Sequence, residues 1–477
     1  MLLPGILLTI ASLLSMTEEQ RRVAAPGFAC SLVVIWLWMT LWDRDRKIPI
    51  FDAGMLCAIV TLAYAVYPLL NYWAGGFRFG FLSDSRLHSH DPKPAEMGLF
   101  HLRHVLYLSS FAVSYAFFRG RATVQTRCIC MPSRPLRHVI VFLFLFLTGY
   151  FISLRVMTGA NYNTSYQAQA FSENVAALRS VPLIVQQISS KLWGILLIAK
   201  TGVLMIVVSR CRQRQWRLIL VLWIIGEIVH VLVVKGARTS LVMFVMAAVL
   251  FYHRMIRPLS MKFLIASAIS FIVFFNFLAL YRTYADLRTM RTVMAKDDVG
   301  LLWQHNEFEG LLGTAYDVLQ LKKAGVELPW YLYINDFTGC LPPQQLLPFE
   351  KVSGAEWYLR QIGFSGKGVG CMWGVISQSI VGLDWIELFF RGSILGLVLA
   401  KLHRWYVRNE SGFIETLFYV YLCLKVYYTF RDTTFSILAN IIWEVIPFYV
   451  LLKCGVALVT GIARQKQYAR ISLSTVS

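Results

Sequence analysis

The sequence predicts an all-α polytopic membrane protein with about twelve transmembrane helices. Of its 477 residues, 57% are hydrophobic and only 15% are charged, too little charge to cover a soluble domain of this length. Many apolar runs reach the ~17–25 residues that cross the core of a bilayer. Strongly basic linkers also alternate with less basic ones along the chain, as cytoplasmic and outward linkers do in such proteins.

The twelve apolar segments show no internal repeat, and we therefore expect a single transmembrane domain over residues 1–477. The first segment has no basic region before it and no small-residue cleavage site, so it is expected to be retained as a helix. The segments lie near residues 1–16, 24–42, 51–72, 101–118, 138–158, 192–209, 218–234, 239–252, 263–281, 384–400, 413–430 and 433–452.

The distribution of Lys and Arg predicts which linkers are cytoplasmic. Every even-numbered linker is basic, and so is the C-terminal tail, which places both termini in the cytoplasm. These cytoplasmic linkers account for the net charge of +20, so nucleic acid is not an expected partner. The basic residues include Arg44, Arg46, Lys47, Arg119, Arg121, Arg210, Arg212, Arg254, Arg257, Lys401, Arg404, Arg408, Arg464 and Lys466.

The linker between the ninth and tenth segments, residues 282–383, is predicted to be a large outward-facing loop. It is close to electrically neutral and long enough to have a function of its own. Its stretch "FEGLLGTAYDVLQLKKAG" is amphipathic, which predicts short helices at the membrane surface.

Five basic residues lie at predicted outward ends of spans, where sorting disfavours positive charge: Lys235, Arg238, Arg155, Arg282 and Arg431. Each of them alone can be explained by a side chain that reaches the lipid headgroups. Together they predict an anion site at the outer membrane boundary. Arg238 and Arg431 each precede Thr or Asp-Thr in a bend, and a guanidinium beside hydroxyls and free amides suits phosphate oxygens.

Charged residues inside the predicted spans should face the protein interior, because hydrocarbon disfavours them. Glu387 and Arg391 are spaced to pair with each other on one helix. Lys200 and Lys425 have no acidic residue close by in the sequence, which makes them functional candidates.

The outward loop contains "WQHNEFEG", which concentrates His305, Glu307 and Glu309. A His that titrates near neutrality beside carboxylates is suited to take a proton from a sugar hydroxyl. A solvated polar turn is the alternative interpretation. Because the motif has no second His and the outward loop contains no D-x-D motif, we predict no metal site and no cofactor.

From about residue 51 to 455 the chain resembles the oligosaccharide repeat-unit polymerases of bacterial surface polysaccharide synthesis, the Wzy-type O-antigen polymerases. The resemblance is carried by "KGARTSL", the loop beginning "HNEFEGLLGTAYDVLQ", the Pro-rich stretch Pro342–Pro348, the Gly-rich re-entry segment Gly363–Gly370 and "FRDTTFSIL". The chain departs from such enzymes in "LLPFEK" and in lacking an acidic residue in the re-entry segment, which leaves the catalytic group open.

The resemblance implies a glycosyltransferase of the bacterial inner membrane that acts on its periplasmic face. Its substrate would be an oligosaccharide linked to undecaprenyl pyrophosphate, its surroundings membrane lipids, and its product an O-antigen, capsule or exopolysaccharide. The outward cations, Arg238 and Arg431 first, would bind the pyrophosphate. His305, with Glu307 or Glu309 behind it, would be the base.

Three alternatives stay open at this stage. An O-antigen ligase-like transferase shares the donor, and a transporter or flippase for lipid-linked glycans shares the number of spans but should show two related halves. A membrane acyltransferase would need an intramembrane His with a catalytic neighbour, for which His230 alone is thin support. The sequence leaves four properties open: the repeat-unit sugars, the stereochemical outcome, the oligomeric state and whether a chain-length regulator binds.

Overall fold

In the residues that it describes, the computed structural model of the chain is almost entirely helical. These are residues 17–45, 51–74, 94–121, 131–158, 182–234, 238–260, 307–327, 354–362, 373–431 and 434–474, with a few single positions between them. No β-strand occurs within these ranges, and the predicted all-α class is confirmed.

The helices are numbered here in chain order. They are α1 (Glu18–Asp45), α2 (Ala53–Ala74), α3 (Pro94–Arg119), α4 (Arg134–Thr158), α5 (Leu183–Ser209), α6 (Arg214–Val234), α7 (Arg238–Met255), α8 (Glu307–Lys323), α9 (Gly354–Gln361), α10 (Gly374–Val381), α11 (Trp385–Arg408), α12 (Phe413–Arg431), α13 (Ser436–Asn440) and α14 (Ile446–Ser474), with a π-helical turn, Ile441–Val445, between the last two.

The helices coincide with the apolar segments predicted from the sequence, apart from the first segment and nearly all of the ninth, which lie outside the described residues. Within the predicted loop 282–383, the amphipathic stretch forms α8, and two further short helices follow it. The segment pattern therefore predicted where helices form.

Four helices of the described residues are long and apolar enough to cross a membrane: Glu18–Asp43, Arg134–Thr158, Lys191–Ser209 and Ser436–Ile462. Two shorter apolar helices, Ala53–Leu69 and Leu241–Met255, accompany them. Large apolar side chains such as Met157 and Leu458 are exposed on these helices. Exposed apolar surface of this kind on long helices is what contact with lipid requires, and the chain is a membrane protein.

The chain divides into two compact units. The first unit consists of Met1–Val124, Ser260–Arg408 and Lys425–Ile437. The second unit consists of Gln125–Leu259, Asn409–Leu424 and Leu438–Ser477. Helix α12 contributes residues to both.

In the first unit, α11 packs closely against α3 because two glycines of α11 face α3. A Cβ atom added to Gly392 would collide with the Ser110 hydroxyl and the Tyr107 carbonyl, and one added to Gly396 would lie 2.6 Å from the Phe111 carbonyl oxygen. Small residues let apolar helices approach closely enough for dense van der Waals packing.

A buried polar cluster at one end of the first unit joins α2, α3 and α11. Arg119 Nε donates to Asp52 Oδ2 at 2.8 Å, and the Tyr115 hydroxyl donates to Asp52 Oδ1 at 2.7 Å. His403 Nε2 lies 3.7 Å from the same carboxylate. Asp52 also accepts the backbone N–H of Met55 and so caps α2.

In the second unit, Lys200 is paired across two helices. Its Nζ donates to Glu227 Oε2 at 2.7 Å, and Trp223 Nε1 donates to the other oxygen at 3.1 Å. Lys200 has no acidic residue close by in the sequence, but the structure supplies an acidic partner from the following helix. The expected pair of Glu387 and Arg391 is confirmed, at 2.7 Å and buried.

Substituting Arg119 by Ala should destabilise the first unit strongly, because it leaves the Asp52 charge buried without its main partner. We expect a loss of about 3–5 kcal/mol in the free energy of unfolding, measured by thermal denaturation in detergent. Arg22→Ala is the matched control, since its ion pair with Glu18 is exposed and should contribute less than about 1 kcal/mol. Equal losses in the two variants would contradict this account of the cluster.

Candidate functional site

The most unusual element of the first unit is the short helix α10, all eight of whose residues are buried. Its sequence, "GVISQSIV", combines apolar side chains with Ser377, Gln378 and Ser379. A short helix enclosed by protein can place polar groups at depth, provided that its surroundings satisfy them.

The start of α10 brings three separate segments of the chain together. Gly374 has a φ of +68°, which favours glycine. A Cβ atom at this position would lie 2.5 Å from the Leu311 side chain of α8 and 3.3 Å and 3.6 Å from the carbonyl oxygens of Phe430 and Arg431 at the end of α12. Helix α8, the start of α10 and the end of α12 therefore meet at Gly374.

Tryptophan side chains fix this end of α10. Trp373 Nε1 donates to Gln378 Oε1 at 2.8 Å, so the side chain before the helix is tied to one in its middle. The Trp373 ring meets Trp357 of α9 edge to face, with the centroids 5.8 Å apart. Tyr358 of α9 in turn donates to Asp317 of α8. Helices α8, α9 and α10 form one interlocked layer.

The other end of α10 is held by two cations. Lys322 Nζ of α8 donates to the carbonyl oxygens of Ile380 and Gly382, at 2.5 and 3.4 Å. These are carbonyls that a helix end leaves without intrahelical partners. Arg103 of α3 binds both oxygens of Asp384 at 2.8 Å, and Asp384 has a φ of +51°. A non-glycine residue in this region is strained, and the bidentate pair compensates for the strain.

Helix α8 is further anchored through Glu96 at the start of α3. Lys323 Nζ donates to one Glu96 oxygen at 2.5 Å, and the Tyr316 hydroxyl donates to the other at 3.2 Å. Burial and the neighbouring carboxylate raise the pKa of Tyr316 to about 12. The phenol therefore stays protonated and remains a donor at physiological pH.

A small cavity lies where α2, α3, α8, α10 and α12 meet. Most of its lining is apolar or aromatic, and His104 and Ser377 add polar groups. The lining is formed by Tyr64, Phe100, His104, Leu311, Leu312, Ala315, Trp373, Gly374, Ile376, Ser377 and Phe430. The His104 ring packs on Phe430 with the centroids 5.7 Å apart. The space amounts to about 10 Å³, about that of one water molecule.

Two of the predicted base residues, Glu307 and Glu309, lie in the first turn of α8. Glu307 begins this helix and Glu309 lies in its first turn, one turn before the Leu311 and Leu312 side chains that line the cavity. Their carboxylates, like His305 as a whole, lie outside the described part of the chain. Acidic residues in a first turn are favoured by the helix dipole, whatever further role they have.

The predicted anion-binding residues fall into both units. Arg431 ends α12 in the first unit, where its Nη1 donates to the Tyr427 hydroxyl at 3.3 Å. Arg238 begins α7 in the second unit, and a helix start favours anions. Arg155 lies half-buried in the last turn of α4, also in the second unit. Lys235 and Arg282 lie outside the described residues, and the five-residue cluster stays a prediction.

The sequence analysis missed Arg103, His104, Ser377 and Asp384. The first two lie in "HLRHVLYL", whose His and Arg residues inside a predicted span were an available signal. The role of Ser377 had no such signal, because it depends on how α10 packs. Among the described residues, no group of three or more His, Cys, Asp or Glu side chains is placed to hold a metal ion.

No protein-family model matches the chain, and neither a curated protein nor a solved structure is significantly similar to it. The functional assignment therefore depends on the residues and their geometry.

Substituting Gly374 by Ala tests whether the meeting point at α10 is as tight as described. Gly120 is a matched control, because it has a similar φ of +61° and no atom within 4 Å of its Cβ position. Both substitutions should cost about 1–2 kcal/mol for the backbone conformation. Gly374→Ala should lose about 1–3 kcal/mol more through overpacking against Leu311 and the end of α12.

Thermal denaturation of the two purified variants in detergent provides the comparison. Equal melting temperatures would show that Leu311 and the Phe430 carbonyl give way easily, contrary to the packing described here.

Proposed function

We propose that the chain is a metal-independent glycosyltransferase that polymerises undecaprenyl-pyrophosphate-linked oligosaccharide repeat units on the periplasmic face of the bacterial inner membrane. The observation that carries the proposal is the convergence at Gly374. It joins α8 of the loop, the helix that follows the Gly-rich segment and the backbone of Arg431, three parts of the chain on which the resemblance to repeat-unit polymerases depends.

The arrangement of the first unit supports the sidedness that this function needs. Asp52, Arg119 and His403, from the ends of predicted cytoplasmic linkers, come together in one cluster. Arg103 and Asp384, from predicted outward ends, form another pair. Arg103 and Arg119 lie on the same helix, so the two clusters are about 24 Å apart along α3. That distance is comparable with the thickness of a bilayer core of about 30 Å.

The reaction needs one bond made and one broken at the same sugar carbon. The acceptor hydroxyl oxygen of a fresh repeat unit attacks the anomeric carbon of the growing glycan. The bond from that carbon to the lipid pyrophosphate breaks, and the pyrophosphate leaves with the electron pair. A base, His305 first and Glu307 or Glu309 behind it, takes the hydroxyl proton.

The arginines would stabilise the charge that develops on the leaving pyrophosphate. Arg keeps its charge and donates a planar fork of hydrogen bonds that matches phosphate oxygens. Fixed donors in a site shielded from water are usually the largest single contribution to catalysis. Arg431 and Arg238 are the first candidates, followed by Arg155, Arg282 and Lys235, and a positively charged cluster removes the need for a metal cation.

In a strain that lacks the gene, we expect Arg431→Ala and Arg238→Ala to lose about 100-fold or more of the polymerising activity, because each removes a fixed positive charge from the transition state. Surface glycan should collapse from a ladder of repeat lengths to a single repeat. Arg408→Ala should restore the full ladder, since this exposed Arg lies at the predicted cytoplasmic end of α11.

Two controls separate chemistry from folding. Membrane abundance of each variant is measured with an epitope tag, and Tyr427→Phe removes the hydroxyl that accepts from Arg431 while leaving the guanidinium in place. A full ladder from both Arg variants at normal abundance would overturn the assignment of these residues.

A further inference from the structure

Two polar side chains that line the cavity of the first unit have hydrogen-bonding atoms without partners. His104 is 5% exposed and Ser377 is fully buried. Neither His104 Nδ1 nor Ser377 Oγ has a hydrogen-bond partner within the described residues. Several other buried polar atoms of the described residues also lack a partner, but these two groups line a cavity, where a bound molecule would satisfy them.

The chemistry of the two groups selects the kind of ligand. A serine hydroxyl both donates and accepts, and a neutral imidazole nitrogen does one or the other. An apolar ligand would satisfy neither. An anion would be unfavourable here, because most of the lining is aromatic or aliphatic. The nearest cation on α3, Arg103, is already paired with Asp384. A neutral hydroxyl, which donates one hydrogen bond and accepts others, satisfies both groups.

The size of the cavity limits the ligand further. Its volume of about 10 Å³ admits one hydroxyl-sized group but no sugar ring. The cavity borders Leu311, which follows the acidic first turn of α8, and Phe430, the neighbour of Arg431. A hydroxyl held here would therefore lie next to the segments of α8 and α12 that carry proposed catalytic residues.

We infer that His104 and Ser377 form a pocket for a single saccharide hydroxyl of the lipid-linked oligosaccharide. The inference rests on the proposed function, because the saccharide is the substrate of that reaction. The pocket binds and orients the sugar, and the proton of the reacting hydroxyl still goes to the base in the loop. The competing source of the same chemistry is a permanently bound structural water.

The chain offers a matched control for each residue of the pocket. Ser379 lies on the same buried helix as Ser377, and its Oγ also has no partner in the described part of the chain, but it does not line the cavity. His101 lies one turn before His104 on α3, is equally buried, and likewise does not line it. The pairs Ser377→Ala with Ser379→Ala and His104→Gln with His101→Gln differ mainly in access to the cavity.

The test uses purified full-length protein in lipid nanodiscs, with lipid-linked repeat units extracted from a strain that lacks the gene. Initial rates at increasing substrate concentration give kcat and KM. Ser377→Ala and His104→Gln should each raise KM about three- to tenfold, the usual effect of one lost hydrogen bond. Ser379→Ala and His101→Gln should leave KM unchanged.

A third variant removes no polar group. Ala315 of α8 also lines the cavity, and Ala315→Val adds two methyl groups that fill the space. It should raise KM as well, because the hydroxyl is excluded. This variant keeps the inference testable if either polar variant fails to fold.

The outcomes separate the two hypotheses. If Ser377→Ala and His104→Gln lower only the melting temperature and leave KM at the wild-type value, the cavity holds a structural water and this inference is wrong, while the proposed function stands. Equal changes of KM in the variants and their controls also overturn it. If wild-type protein makes no polymer from the repeat units, the proposed function fails, and the saccharide pocket fails with it.

Discussion

The arrangement of the first unit depends on the burial of the eight-residue helix α10. A buried helix this short has nearly as many terminal backbone groups as internal ones, and each needs a partner. Lys322 supplies partners for carbonyls at its end, and Arg103 holds the strained turn at Asp384 that follows. At its start, Gly374 lets the backbone approach α8 and α12. The positions of the loop helix and of Arg431 follow from these contacts.

Some of the remaining polar groups around α10 make hydrogen bonds that hold the fold, whereas others have atoms without a hydrogen-bond partner in the described residues. Gln378 is tied to Trp373, and Asp317 accepts from Tyr358, so both have a structural explanation. His104 and Ser377 border a cavity that no described side chain fills. Because hydrogen bonds and ion pairs tie α8, α9 and α10 to one another and to α3, the cavity lies in a rigid setting. Rigid surroundings are what a binding site needs in order to orient a substrate.

The sequence was informative where a pattern is local. Apolar runs predicted the helices, and the spacing of Glu387 and Arg391 predicted their ion pair. Ion pairs between helices could not be predicted from the sequence. Glu227, the partner of Lys200, lies on the next helix, so no local spacing indicates the pair. The cavity was not readable either, since it depends on five helices and on a positive φ at Gly374. For the candidate site, sequence identified the segments of α8 and Arg431, whereas their meeting at α10 required the structure.

The most direct test of the central claim is whether the purified chain alone joins repeat units. Full-length protein in proteoliposomes is given lipid-linked repeat units, and the products are separated by size on a gel. The account predicts a ladder that rises in steps of one repeat, formed without nucleotide sugar. Transfer of preformed chains to a lipid A core in a single step would identify a ligase. Movement of the repeat units across the bilayer without any joining would identify a transporter, and either result would contradict the account.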